Sequence, residues 1–342
     1  MNNTFNHPLI WVEIGRPIPR YLQRNAKLHS ILYPHLDQYL ITEKQIYIFK
    51  RNSFEQIDFI AETDSLHSFL QVQKTFDTPQ KSFWTNTTSR FFYLHAAISQ
   101  LGLNRLLHLE SDVVLLNSIV IDAVLNDLNN KRLSYPLETP TLGCASIFAV
   151  RDQSILKQFL QFSLDNWQDK KTTDMTLLGD FANNSNNLVE VLPTWPSGTT
   201  NDSSYFFDAG TIGKFYLGSD ARNFALPYSR RGVKQNSTNF VPDLLDLNPD
   251  LWKVNESDEN AGNAVGLSLT IGNSELVNLH IHSKKIPSRP LKLLSELKTG
   301  FLSPQSEVWR RGSLDQIVLA ERMVGTIKRR LGMQIKEHIS FR

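Results

Sequence analysis

An α/β fold built on a mostly parallel central sheet is what the sequence predicts, and three stretches carry that expectation. Leu9-Ile10-Trp11-Val12-Glu13-Ile14 reads as a first buried strand, a helix begins near Tyr21, and the apolar run Ile46-Tyr47-Ile48-Phe49 follows one helix-length later. Strand, helix and strand at that spacing are the rhythm of a β-α-β unit. Gly143 to Val150 reads as a further strand, followed by a helix over Gln153 to Trp167 with Ile155, Leu156, Phe159, Leu160 and Phe162 on its buried side. Between these units, Arg105 to Leu116 is a leucine and valine run interrupted by Glu110 and Asp112. An apolar strand that ends in acids belongs at the edge of a parallel sheet, where open α/β folds place their ligands.

Taken in order, the first strand stops at Gly15, and the loop Arg16-Pro17-Ile18-Pro19-Arg20 precedes the first helix. Thr85 to Thr88 offer hydroxyls that cap a helix, after which Phe91, Phe92, Leu94, Ile98 and Leu101 recur at helical spacing until Gly102. That places Arg90 in the first turn, where a cation opposes the helix dipole. Arg90 is therefore either an ordinary surface arginine or one held for a purpose other than local stability. A helix from about Ile119 to Leu128 follows the organising strand, and Leu188 to Pro193 is a short strand that proline ends. Asp174 is placed to cap the helix that Met175 to Leu178 opens. Phe206 to Asp220 mixes aromatic residues, glycines and acids, which suits a sugar-ring lining and equally a short helix with glycine-rich ends. Residues 229 to 275 read as loop-rich, with a hairpin from Trp252-Lys253-Val254 to Leu267 through Ile271.

Beyond Pro290 the composition changes, so the chain divides into a main domain over 1–290 and a C-terminal helical extension over 291–342. Leu291 to Leu297 and Asp315 to Ile335 read as amphipathic helices, the second crowded with Arg322, Lys328, Arg329, Arg330 and Lys336. Such a segment packs back on the domain or rests on a membrane surface or partner.

With 342 residues the chain can bury a sizeable core, and 36 Lys plus Arg against 34 Asp plus Glu is too balanced for nucleic acid to be the main ligand. The single cysteine, Cys144, excludes an intramolecular disulfide and a four-cysteine zinc site. No basic-plus-apolar leader opens the sequence, and no apolar run reaches the roughly 18 residues of a membrane span. A soluble, cytoplasmic protein is expected.

An ionised acid among leucines is costly unless it has a partner. In an extended segment alternate side chains share a face, so Glu110 and Asp112 can turn toward one ion with Ser111 pointing away. The plainer alternative is a glutamate that closes a strand and an aspartate that begins a turn. A second unusual stretch, Leu276 to Lys285, alternates so that His280 and His282 share a face and Lys284 and Lys285 follow at once. Imidazole is a common metal ligand, and lysine is a point charge suited to phosphate.

With both stretches in hand, the sequence resembles the glycosyltransferases of the GT-A fold, the nucleotide-diphospho-sugar transferase superfamily. In these an Asp-x-Asp motif ends a central strand and a late histidine completes a metal site. The matching stretches are His108 to Asp112, Phe207 to Gly218 and Asn278 to Lys284, over about residues 8 to 290. Glu110-Ser111-Asp112 is a Glu-x-Asp variant, and the longer first side chain departs from the usual aspartate. The resemblance implies a single Rossmann-like domain and transfer of a sugar, a hexose by preference, from a nucleotide-diphosphate donor to a glycan, lipid or protein hydroxyl. It implies Mn2+ or Mg2+ held by Glu110, Asp112, His280 and His282, with histidine tilting the choice toward manganese. Gly15 would touch the nucleotide, Arg90 the donor sugar, and Ser111 and Lys284 the donor. Asp174 and Asp208 would serve the transferred sugar or the acceptor. A late histidine and lysine favour a retaining outcome, whereas an inverting one needs a carboxylate base that Asp174 or Asp208 would supply. Two rival readings are a metal-dependent phosphoesterase using His280 and His282, and a sugar- or partner-binding module that kept the fold without turnover.

Overall fold

The computed structural model describes residues 7–50, 53–58, 64–74, 81–126, 132–167, 172–185, 187–194, 204–217, 252–256, 267–271, 273–282, 284 and 286–297. Strand β1 (Leu9–Val12) leads through the Gly15 loop to helix α1 (Arg20–Leu32), and the chain returns as β2 (Gln38–Ile41). β2 lies parallel to β1, Leu9 beside Gln38 and Val12 beside Ile41. The β-α-β unit thus closes at Gln38 to Ile41, earlier than the apolar run at Ile46 suggests. That run is β3 (Gln45–Lys50), which turns back against β2 and hairpins into β4 (Ser53–Asp58). Helices α2 (Asp64–Lys74) and α3 (Lys81–Leu101) follow. α3 starts well before the hydroxyl-rich segment, because those hydroxyls fold back onto the helix: Thr87 Oγ1 donates to Trp84 O at 3.0 Å and Ser89 Oγ to Asn86 O at 3.2 Å. Arg90 consequently sits in mid-helix, and the dipole argument for it does not apply.

The organising stretch is two strands, β5 (Leu106–Leu109) and β6 (Val113–Leu115), with the acids in the turn between them. After α4 (Ser118–Asn126) comes β7 (Leu133–Thr139), a fully buried strand that Pro136 disguises in the sequence. The predicted strand at Gly143 is split into β8 (Leu142–Gly143) and β9 (Ile147–Val150). Then follow α5 (Gln153–Asn166), α6 (Asp174–Asn184), β10 (Val189–Leu192), β11 (Tyr205–Phe206) and α7 (Ile212–Leu217). β12 (Trp252–Glu256) and β13 (Leu267–Ile271) form the expected hairpin, and β14 (Ser274–Leu276), β15 (Asn278–His280) and α8 (Pro290–Leu297) complete the described elements.

The central sheet has the order β10-β7-β9-β5-β1-β2-β3-β4, with β8 attached to β7. Taking β1 as reference, β2, β4, β5, β7 and β10 run with it, and along this path only β3 and β9 run against it. The α/β class and the predominant strand direction agree with the sequence reading. β11, β14, β13 and β12 make a separate small sheet, and β15 pairs with β6 as a two-stranded ribbon.

Phe91 and Phe92 of α3 are fully buried, Phe91 against Phe148 at 5.2 Å and Phe92 stacked on Phe69 at 4.5 Å. Burial of that kind contributes about 1.5–3 kcal/mol per side chain. Leu293 of α8 is buried in one cluster with Leu28 and Leu32 of α1. Residues 298–342, with the second amphipathic helix, lie outside the described residues. No helix among those described is long and apolar enough to cross a membrane.

β1 has parallel neighbours on both sides, β2 reached through α1 and β5 reached from the other direction. Its carboxyl end is therefore the topological switch point, and a crevice opens between the loops after β1 and β5.

One buried group on this scaffold makes stability depend on pH. His29 is fully buried, with Nδ1 2.9 Å from Asn25 O and Nε2 accepting the Leu115 amide at 3.0 Å. Burial holds its folded pKa to about 4, below its ordinary value, against the raising effect of the Asn25 carbonyl. Since the unfolded chain takes up the proton first, this contribution is complete above about pH 6.5 and is lost as pH falls toward 4. Urea unfolding is expected to show about 2 kcal/mol less stability from this group at pH 5 than at pH 7.5. His29→Gln, which keeps an acceptor for Leu115, should flatten that slope.

Candidate active site

The acids sit where β5 gives way to β6. The turn closes with the Val113 amide donating to Glu110 O at 3.0 Å. β15 runs antiparallel to β6 with His280 opposite Val113, and the Ile281 amide donates to Asp112 O at 2.8 Å. This pairing brings the two distant stretches together. His280 Nε2 lies 3.2 Å from Asp112 Oδ2 and 3.4 Å from Glu110 Oε2, and the His282 ring stacks on that of His280 at 3.8 Å. Asp112, His280 and His282 offer ligand atoms that all lie within 4.8 Å of one another. Glu110 is not in that group; its Oε1 accepts from Arg90 Nη1 at 2.5 Å while its Oε2 faces His280.

Lys284 reaches back over this cluster. Its backbone has φ 58°, an uncommon conformation for a residue with a side chain, and its amide closes a turn onto Ile281 O at 2.9 Å. The ammonium group donates to Asp112 and lies 5.5 Å from the centre of the Tyr21 ring. Burial alone would push Asp112 up, but His280 and Lys284 hold its carboxyl well below the usual carboxylate range. Burial works against the charge on His280 too, and Asp112 with Glu110 reverses it, so that imidazole stays protonated well above its ordinary value. A buried carboxylate with two imidazoles is a donor set that fits a divalent cation, and Nδ1 of His280 has no hydrogen-bond partner. Such an ion would take over the Asp112 oxygen on which the Lys284 ammonium rests.

Arg90 joins the acid turn to a second element. Besides Glu110 it donates through Nη2 to Asp174, a residue 3 % exposed. Thr173, not Asp174, caps α6, in a box where Thr173 and Thr176 serve each other's amides. Asp174 is the first helical residue, which leaves its carboxylate to meet the guanidinium. Burial disfavours charge on Arg90, but Glu110 and Asp174 raise its pKa beyond its ordinary value. At Asp174 burial outweighs the pull of Arg90 and Glu110 adds like charge, so its carboxyl is pushed up.

Asp208 is held by backbone amides on every side. Fully buried, it accepts four amides: Gly210 at 2.8 Å, Ile212 at 3.0 Å, Gly213 at 2.9 Å and His280 at 3.0 Å. Each of its oxygens serves two backbone donors, so the carboxylate caps α7 and anchors the backbone of His280. Gly210, at φ +106°, keeps space for both rings, since a Cβ there would come within 3.0 Å of His282 Nε2.

Gly15, Arg90, Glu110, Ser111, Asp112, Asp174, His280, His282 and Lys284 all line one cleft of about 390 Å³. Asp208 is not among its lining residues, and Lys285 is outside the described residues. Gly15 has φ 76°, and its amide donates to Glu43 at 3.0 Å. Ser111 Oγ is 3.3 Å from the Tyr21 hydroxyl. Of the charged lining residues, Glu13, Arg16 and Glu138 carry no site role in the sequence reading. Glu138 ends an apolar strand, the same signal that marks Glu110, but it stands in the strand that Pro136 hides.

No protein-family model and no curated protein matches the chain. Among solved structures it is similar to a glycosyltransferase involved in glycosylation of the major capsid of PBCV-1, at 13% identity over 51% of this chain and 73% of that one, with a TM-score of 0.28. It is also similar to mouse xyloside xylosyltransferase 1 in its apo form, at 13% identity over 56% of this chain and 88% of that one, TM-score 0.35. A third is the apo form of the glycosyltransferase GlyE of Streptococcus pneumoniae TIGR4, at 12% identity over 54% of this chain and 45% of that one, TM-score 0.31. All three are glycosyltransferases by name.

Proposed function

We propose that this chain is a metal-dependent glycosyltransferase that moves a sugar, a hexose by preference, from a nucleotide-diphosphate donor to a hydroxyl on a glycan, lipid or protein. The observation that carries the reading is the meeting of Asp112, His280, His282 and Lys284 at the crevice beyond β1 and β5. The cleft is lined by the acids Glu13, Glu110, Asp112, Glu138 and Asp174 against the cations Arg16, Arg90 and Lys284. A diphosphate would be repelled by that balance unless a cation came with it. Mn2+ or Mg2+, when bound, supplies Lewis-acid stabilisation of the charge that grows on the leaving diphosphate.

The chain's own residues do the rest. Asp112 with the two imidazoles would hold the ion, which would replace the proton on His280, and Glu110, tied to Arg90, adds negative charge beside that position. Lys284, which reaches Asp112 here, would give a fixed positive charge to the departing phosphate oxygens. Gly15, with no side chain at the cleft wall, admits the nucleotide, and Ser111 offers a hydroxyl to the donor. Arg90 and Asp174 face the transferred sugar, and the surplus of carboxylates suits a neutral sugar better than a uronate. Asp208 is filled by amides and Asp174 is paired with Arg90, so neither candidate base is at liberty, which supports a retaining outcome. An inverted product would turn attention to Glu138.

A thermal-shift screen of sugar nucleotides with Mn2+, repeated with chelator, tests the reading. Neutral-sugar donors are expected to stabilise the protein only when metal is present, by about 2.7 kcal/mol at a hundredfold excess over Kd. No donor-dependent shift, or a shift indifferent to chelator, would sink the proposal. Release of phosphate or nucleoside monophosphate with no sugar transferred would favour the phosphoesterase. Metal-dependent donor binding with no turnover on any acceptor would favour the binding module.

A further inference from the structure

Helix α1 and its C-cap residue present Tyr21, Asn25, His29 and Tyr33, four residues apart, to the segment from Ser111 through β6. Tyr21 faces the Ser111 hydroxyl at 3.3 Å, His29 accepts the Leu115 amide at 3.0 Å, and Tyr33 donates to Leu115 O at 3.2 Å. These side chains supply the bonds that a further strand would supply on the side of β6 away from β15. Asn25 lies between them and is fully buried. Its single amide nitrogen donates to Ser111 O at 3.2 Å and to Val113 O at 2.8 Å, the carbonyls before and after Asp112. The carbonyl of Asp112 itself is held from the opposite side by the Ile281 amide, between the two histidines. Three successive carbonyls are thus fixed, and a backbone with two soft dihedrals per residue has little freedom left at the residue they enclose.

We infer that Asn25 is the positioning residue of the metal site: by straddling Asp112 it fixes the direction in which that carboxylate meets His280 and His282. The inference rests on the metal reading above. An asparagine suits the task because both hydrogens of one NH2 can reach two carbonyls, whereas an aspartate would set oxygens against oxygens and a leucine would leave both carbonyls unserved. Groups that orient ligands without touching the ion typically govern metal affinity by about 10- to 100-fold.

Mn2+ binding by the full chain, read by calorimetry and by the EPR spectrum of the bound ion, tests this for Asn25→Leu and for the smaller Asn25→Ser, which guards against misfolding of the first. Affinity should fall by about 10- to 100-fold in both, with an altered spectrum. Leu160→Ala in α5, a core truncation remote from the site, should lower thermal stability and leave affinity and spectrum unchanged. Parent-like Mn2+ affinity and spectrum in folded Asn25 variants would overturn the positioning role alone. If the unmutated chain bound no Mn2+, or Asp112→Asn bound it equally well, the metal reading would fall and this inference with it.

Discussion

Replacing Asp112 by asparagine is expected to abolish Mn2+-dependent transfer, by at least about 10²- to 10³-fold, while the fold persists. Asparagine keeps the shape, and the Asp112 backbone remains held by Ile281. What disappears is the charge that draws His280, Lys284 and the cation to one point. Donor hydrolysis as a function of Mn2+ concentration reads the effect, with circular dichroism as the check on folding. Lys284→Met makes the complementary case. With the ammonium gone, Mn2+ alone should bind roughly tenfold more tightly and nucleoside diphosphate more weakly, a change of about 1.4 kcal/mol in each. Transfer at parent rates by Asp112→Asn would defeat the assignment.

The largest effect on stability is expected at Arg90. Its guanidinium is the shared partner of Glu110 and Asp174, and all three are buried or nearly so. Arg90→Met would leave two carboxylates facing each other with no cation between them. Breaking a buried ion pair in this way costs about 3–5 kcal/mol. Without Arg90, burial and the like charge of each acid on the other should hold their folded pKa values above the unfolded ones. The deficit should therefore be full at neutral pH and shrink as pH falls toward the carboxylate range, because the folded acids take up protons first. Adding Asp174→Asn should recover part of the loss. Urea midpoints at pH 7 and pH 5 for the single and double variants measure both effects, and an unchanged midpoint in Arg90→Met would refute this account.

The two unusual stretches were legible because each breaks its own background: carboxylates in a leucine run, and alternating imidazoles that end in lysine. Their meeting was legible only through the resemblance, since nothing local in residues 108–112 points to residues 278–284. Arg90 was flagged for a reason that does not hold, because the hydroxyls taken for a cap lie inside α3 and bond back to its carbonyls. Its real partners, Glu110 and Asp174, are set by how α3 and α6 pack, which no spacing records. Asp208 carries a local signal of its own, since an acid just ahead of Ile212-Gly213 suits a helix cap, and the structure shows it accepting those amides. β2 escaped notice because Gln38-Tyr39-Leu40-Ile41 is short and half polar, and β7 because proline is rare inside a sheet. Asn25 has no signature at all, since an asparagine in mid-helix says nothing until the carbonyls it serves are in place.

The pairing of β6 with β15 also orders events at the ribosome. Asp112 and Lys284 stand 172 residues apart, so at about 5–20 residues per second the acid turn is synthesised roughly 10 to 30 s before its partners. Over that interval helix α1 can already seal one border of β6, while the other stays open, with two acids at its head to discourage a stray strand. Emergence of β15 closes the border and delivers both imidazoles together. On the metal reading proposed above, a growing polypeptide would therefore gain its full set of candidate ligands only once His282 has been made.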